Sequence, residues 1–386
     1  MNAVVNNKNR LDYIDVAKFI SMFFVILCHV VSKGEIRHIG YSFHLPLFFI
    51  LNGITLKIKD NENFGQFLEK KIKSYMIPMF WLGLILIFVE IIQSQSYANP
   101  LDLKYLGTML IKMLEQKRVY PIWFVGALFF ADIFFYFIHK LSKNKPLFIL
   151  LFSLIFLSIA IICNLYYRYQ FVWNIDVSLF GVFFVALGYL FAHKDLTPIR
   201  SFVLKNRLYS LGFGILLFII GQILGEYNYH TYNSHLEMWG MNYSQYYLTI
   251  PCAILSSFGI ILISNSIKNR ILAELGKTTL VLLAFHQIVT IPLFNQTITP
   301  NWYNNVQSLD GNSIEYLLFS LTSTLFSIIS LVGVHYFIIY SPFSFILNKK
   351  NQPNLFKGKT GMIYWQLIIN ILKYWHTFRR IIHERK

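Results

Sequence analysis

Long apolar runs, broken by short polar segments, organise this chain. Ten of them read as bilayer-crossing helices: residues 13–31, 41–57, 76–93, 121–138, 147–165, 172–192, 208–225, 246–265, 279–296 and 315–341. Each approaches the roughly 20 apolar residues that a hydrocarbon core requires. The second run is the shortest and carries His44 and Pro46. The pattern predicts an all-α, polytopic integral membrane protein of about ten transmembrane helices. The first run is not a cleavable leader, because it holds Asp15 and Lys18 and lacks a small-residue cleavage site. The membrane domain is expected over residues 1–345 and a basic cytoplasmic tail over 346–386. Within that tail, residues 362–386 mix Trp, Ile and basic side chains, as a helix lying on an anionic leaflet does.

Charge orients the map. The connecting segments on the side of the N-terminus hold 26 Lys and Arg residues, against 7 on the opposite side. The positive-inside rule then puts both termini in the cytoplasm. Composition agrees with a membrane protein: 55% hydrophobic, 18% aromatic and 13% charged, with a mean hydropathy of +0.51. The net charge of +16 is therefore a topology signal, and no nucleic-acid partner is expected. Cys28, Cys163 and Cys252 all fall inside spans without CxxC pairing, so neither a disulfide framework nor a zinc site follows from them.

Polar residues within the apolar runs carry the candidate chemistry. Lys18 and His29 are eleven positions apart, a step of about 1100° and about 16 Å of rise. They share one stripe of the first helix, with Asp15 about 40° to the side, and are too far apart to touch. Ionisable groups in hydrocarbon are costly and usually mark function. On the charge-based orientation, Asp15 and Lys18 lie near the inner face. His29, His44, Glu90, Trp123 and Asp176 lie in the outer half, with Asp132 and His286 deeper. A histidine of near-neutral pKa can take the proton of an attacking alcohol, and either Asp176 or Glu90 could orient such a ring. No metal is expected, since no pair has the close ligand spacing of HExxH. Glu90, Asp132 and His335 read as structural groups. His286 reads equally as a functional group and as a histidine bonded between helices. Neither G-x-S-x-G nor a P-loop is present.

An ordered set of segments carries a family resemblance. Asp15-Val-Ala-Lys18 is followed by His29. Next come Phe43-His-Leu-Pro-Leu-Phe-Phe-Ile-Leu-Asn-Gly53, Lys70-Lys-Ile-Lys73 ahead of Pro78, Ile122-Trp-Phe124 and Phe285-His286-Gln287. In this order they resemble the membrane-bound acyltransferase family 3, which includes sugar O-acetyltransferases, and within it the fucose 4-O-acetylase-like branch. Lys18 stands where many members carry Arg, and Asn52 where Ser is usual.

The resemblance implies transfer of acetyl from acetyl-CoA to a hydroxyl of a cell-surface or lipid-linked glycan, by a multi-pass protein of the bacterial inner membrane. Lys70, Lys71 and Lys73 would meet CoA phosphates, with Lys18 and Asp15 just above them. His29 would act as general base or carry the acyl group as an acyl-imidazole. His286 would assist it, and His44, Asn52, Trp123 and Asp176 would contact the acceptor. Polysaccharide biosynthesis proteins are the expected neighbours. The alternatives are a transporter of sugar or lipid-linked sugar, against which the lack of a detectable repeat stands, and a membrane sensor for polysaccharide export.

Overall fold

A computed structural model describes residues 12–95, 103–118, 120–167, 170–193, 204–267 and 269–347. Among them there is no β-strand, only an isolated bridge between Glu237 and Asn242. The helices are α1 (Asp12–Val30), α2 (Glu35–Tyr41), α3 (His44–Thr55), α4 (Phe64–Lys71), α5 (Ile77–Gln95), α6 (Leu103–Glu115), α7 (Trp123–Leu141), α8 (Pro146–Tyr166), α9 (Ile175–His193), α10 (Arg207–Tyr232), α11 (Tyr246–Ser266), α12 (Arg270–Gly276), α13 (Thr279–Phe285), α14 (Pro300–Gln307) and α15 (Ile314–Tyr340). Nine stretches of the described residues are long and apolar enough to cross a bilayer. This is a multi-pass membrane protein.

The expected span at 41–57 differs from the rest. Its helix, α3, has 12 residues and is about 18 Å long, against a hydrocarbon core of about 30 Å. The break before it has a local cause. His44 Nδ1–H donates to the Gly40 carbonyl at 2.6 Å, closing the end of α2. Pro46, in the first turn of α3, has no N–H with which to extend a helix backward. Wide turns of π type lead into one other expected span and interrupt a second. α4 passes into α5 through Ile72–Met76, and α13 is followed by His286–Thr290 and Leu293–Ile298. Such turns recur at functional sites.

Helices in a membrane associate through close backbone approach at small residues. Here α3 and α9 cross so tightly that a Cβ on Gly53 would lie 2.0 Å from the Val185 carbonyl oxygen, and one on Gly188 2.0 Å from that of Ile50. α1 meets α12 where a Cβ on Gly276 would lie 1.9 Å from the Asp15 carbonyl oxygen. α1 also packs against α2, α3, α11 and α13, so it is enclosed on most sides. By contrast, α8 turns Leu147, Leu151, Ile155 and Ile162 outward, the face that lipid would cover.

The chain divides into two compact units between Val332 and Gly333. The first holds α1 to α14 and most of α15. The second has the end of α15 and a 3₁₀ segment over Pro342–Leu347. Of the expected tail at 346–386, all but the first two residues, including the surface helix at 362–386, lie outside the described residues.

Candidate functional site

Helix α1 borders two cavities in succession. The first, about 500 Å³, is lined by His29, His44, Tyr41, Arg118, Trp123, Glu237 and Trp239 among others. The second, about 260 Å³, is lined by Lys18, Asn52, Thr55, Tyr75 and Thr279 among others. Phe124 and Leu283 line both, so the cavities meet at a wall of these two side chains. The eleven-residue step from Lys18 to His29 carries α1 from one chamber into the other.

In the first cavity His29 is solvent-accessible and makes no hydrogen bond among the described residues. Behind it lies His286, with ring centroids 4.9 Å apart and planes at 52°. His286 is fully buried. Its Nδ1 meets the carbonyls of Leu282 and Leu283 at 2.9 and 3.0 Å, so that nitrogen carries the proton. Nε2, with no partner, is left as an acceptor. His44 is fixed in the same sense by its bond to Gly40, and Ser21 Oγ donates to its carbonyl at 2.5 Å. Tyr41 stands edge-on to His44 at 5.1 Å and beneath the Arg37 guanidinium at 5.5 Å. On the other side of Tyr41, with ring centroids 4.6 Å apart, His235 is pushed down to about 4 by burial and by the Arg37 charge.

The opposite wall comes from two connecting segments. Gln116, Arg118 and Tyr120 adopt left-handed backbone, with φ of 50°, 56° and 62°. That conformation is unfavourable for side chains of this size and persists only where the surroundings impose it. They do so here. Arg118 donates to Asp176 and to the Trp239 carbonyl at 2.7 Å, and Trp239 Nε1 returns a bond to the Arg118 carbonyl. Tyr120 donates to Glu90. Buried Asn174 donates to the carbonyls of Gln116 and Trp123 at 2.8 and 3.2 Å. Asp176 and Glu90 are thus claimed by groups of the 116–120 segment, and neither orients His29. The carboxylate in the cavity lining is Glu237.

Charges around the second cavity are paired. Lys18 Nζ lies 3.6 Å from the buried Asp15 carboxylate. The Asn52 amide donates to Asp132 at 2.7 Å and accepts from the Tyr75 hydroxyl at 3.1 Å. Lys71 Nζ lies 2.6 Å from the other Asp132 oxygen, and 5.3 and 5.4 Å from the ring centroids of Phe67 and Tyr75. The lysine cluster therefore splits. Lys71 turns inward to Asp132. Lys70, paired with Glu62 at 2.5 Å, and Lys73, paired with Glu69, border a separate hollow of about 460 Å³ with Lys59 and Gln66.

Of the residues read from the sequence, His29, His44 and Trp123 share the first cavity. His286 backs it, and Asp176 reaches it through Arg118. Lys18 and Asn52 share the second, with Asp15 bound to Lys18. Arg118, Tyr41, Glu237 and Trp239 were not singled out. Arg118, Glu237 and Trp239 lie in connecting segments without hydropathy periodicity, and Tyr41, at the first position of an expected span, is one aromatic among many. Asp132 was visible as a mid-span carboxylate; its link to Asn52 was not.

A family model described as an acyltransferase domain matches residues 11–332, a range that includes both cavities. No curated protein and no solved structure matches the chain.

Proposed function

Because this chain belongs to the acyltransferase 3 family, we propose that it moves an acetyl group from acetyl-CoA to a hydroxyl of a cell-surface or lipid-linked glycan. The observation that carries this reading is the pair of cavities meeting at Phe124 and Leu283, with Lys18 in one and His29 in the other. A transferase that joins a cytoplasmic thioester to a glycan at the membrane needs separate entries and one reacting point. On the orientation favoured by loop charge, the Lys18 cavity opens toward the cytoplasm and receives the acyl-bearing arm of CoA. The Lys70 and Lys73 hollow, on the same side, offers ammonium groups to its phosphates.

The glycan enters the His29 cavity. Trp123 and Trp239 offer flat apolar faces for a sugar ring, and Glu237, His44 and Tyr41 offer polar partners. His29 takes the proton of the acceptor hydroxyl as its oxygen attacks the thioester carbonyl carbon. Collapse of the tetrahedral intermediate breaks the C–S bond, and the departing thiolate takes the proton back from the imidazolium. His286, which presents an unpartnered ring nitrogen behind His29, helps to hold that cation.

Purified protein given acetyl-CoA labelled in the acetyl group and a panel of surface-glycan fractions tests this. Label on a hydroxyl of the glycan, lost with His29→Ala, supports the reading. A His29→Ala protein that inserts, folds and still acetylates at the wild-type rate would sink it.

A further inference from the structure

Four residues outside the lining of both cavities form a compact cluster of nitrogen and oxygen donors. Glu35 and His38 are three positions apart on α2, and Glu226 and His230 four apart on α10; both spacings put the pair on one helix face. The fold brings these two faces together. His38 Nε2 lies 2.6 Å from Glu35 Oε2 and 3.3 Å from Glu226 Oε2, and His230 Nε2 lies 3.4 Å from that same oxygen. Ligand atoms of Glu35, Glu226 and His230 all fall within 4.8 Å of one another.

Hydrogen bonding alone serves this arrangement poorly. Two carboxylates converge on the single proton of His38 Nε2, and His230 Nε2 reaches the same Glu226 oxygen only at a long 3.4 Å. A cation among them satisfies all four groups. Zinc holds nitrogen and oxygen ligands at about 2.0–2.1 Å, so a tetrahedral site keeps neighbouring ligand atoms about 3.3–3.4 Å apart. The His38–Glu226 and His230–Glu226 separations already have that length. The Glu35–His38 contact must open to admit an ion, and the Glu35 side chain is 43% exposed and able to turn. His38 is 5% exposed, and its ring is stacked on Tyr229 at 3.7 Å and 18°. Its donor nitrogen is therefore aimed in advance, as a ligand of a built site is.

We propose that Glu35, His38, Glu226 and His230 bind one zinc-type divalent cation that clips α2 to α10. The inference stands apart from the transferase reading. It links to the first cavity through the chain, since α2 ends at Tyr41 and His44 opens α3. HExxH-like spacing on one helix does not reveal such a site, because each helix contributes half of it.

Full-length protein, purified without a polyhistidine tag and stripped with a chelator, is titrated with Zn²⁺ and separately with Co²⁺. The expected result is one ion per chain, with the intense visible absorption of tetrahedral Co²⁺. Affinity should fall roughly 100-fold in His230→Ala and in Glu226→Gln, on the scale at which loss of a supporting partner already weakens metal sites. His230 is 64% exposed, so its removal should leave unfolding in chelator unchanged, separating loss of a ligand from loss of fold. Wild-type protein that binds no ion, or variants that bind as tightly as wild type, overturn the proposal.

Discussion

The two cavities along α1 differ in how their polar groups are employed. Around the second, charge meets charge: Lys18 with Asp15, Lys71 with Asp132, and the Asn52 amide tied to Asp132 and Tyr75. Around the first, the ion pair of Arg118 and Asp176 is spent on fixing the wall, and His29 faces the cavity without a hydrogen bond. A paired network is rigid and its charges are neutralised in place, which suits a binding chamber. An accessible imidazole with an unspent lone pair suits proton transfer. The same helix supplies both, and the difference lies in what its neighbours bring.

The sharpest way to break this contrast is to remove His29. With His29→Ala, acetyl transfer should fall about 10²- to 10⁴-fold, the range of a general base. Thermal unfolding in detergent should change little, since the side chain is exposed to the cavity and its ring contact is with His286 behind it. The reverse pattern is expected on the paired side. Asp132→Ala leaves the Lys71 ammonium without its carboxylate and the Asn52 amide without its acceptor. Stability should fall by about 3–5 kcal/mol, as it does when one member of a buried pair is removed. The measurement is unfolding in detergent against the wild type. A loss of activity at unchanged stability would mean that Asp132 acts in the chemistry and not in the frame.

How far the sequence spoke for each cavity follows from the same contrast. The relation of Lys18 to His29 is set by helix geometry alone, so it was legible, as was the all-helical membrane class. The break before α3 was not, because a hydropathy run does not register one side-chain bond from His44 to Gly40. Lys70, Lys71 and Lys73 read as one basic surface, yet adjacent helical positions point about 100° apart. Lys71 accordingly faces Asp132 while its neighbours face the hollow. Arg118, Glu237 and Trp239 were hidden for another reason. Their positions depend on left-handed backbone and on contacts between distant connecting segments, which leave no period in the chain.

Lys18→Ala sharpens the comparison from the donor side. If the second cavity holds the acyl-CoA arm, the KM for acetyl-CoA should rise about tenfold, or about 1.4 kcal/mol of binding. The maximal rate should move less, because the lost contact is made before and during reaction alike. The check is initial rates at varied acetyl-CoA with saturating acceptor. An equal fall in both parameters would assign Lys18 to the transition state.

The smallest effect is expected at the third hollow, where pairing is partly solvent-screened. Burial pushes the Glu62 carboxyl up, but hydrogen bonds from Lys70 and from the Lys59 backbone N–H outweigh it and hold Glu62 below its ordinary value. A carboxyl lowered on folding stabilises the folded state above its unfolded value, near 4.3 for Glu. That contribution is lost as pH falls through the lowered value. Lys70 is 57% exposed, so Lys70→Ala should cost under about 1 kcal/mol near neutral pH. It should also shift the acid loss of stability toward higher pH, because burial then acts on Glu62 with less opposition. Unfolding temperatures between about pH 3 and pH 7 read the shift directly. Because Lys71 is paired inside with Asp132 and not in this hollow, Lys71→Ala should leave the Glu62 step where it is while lowering stability near neutral pH.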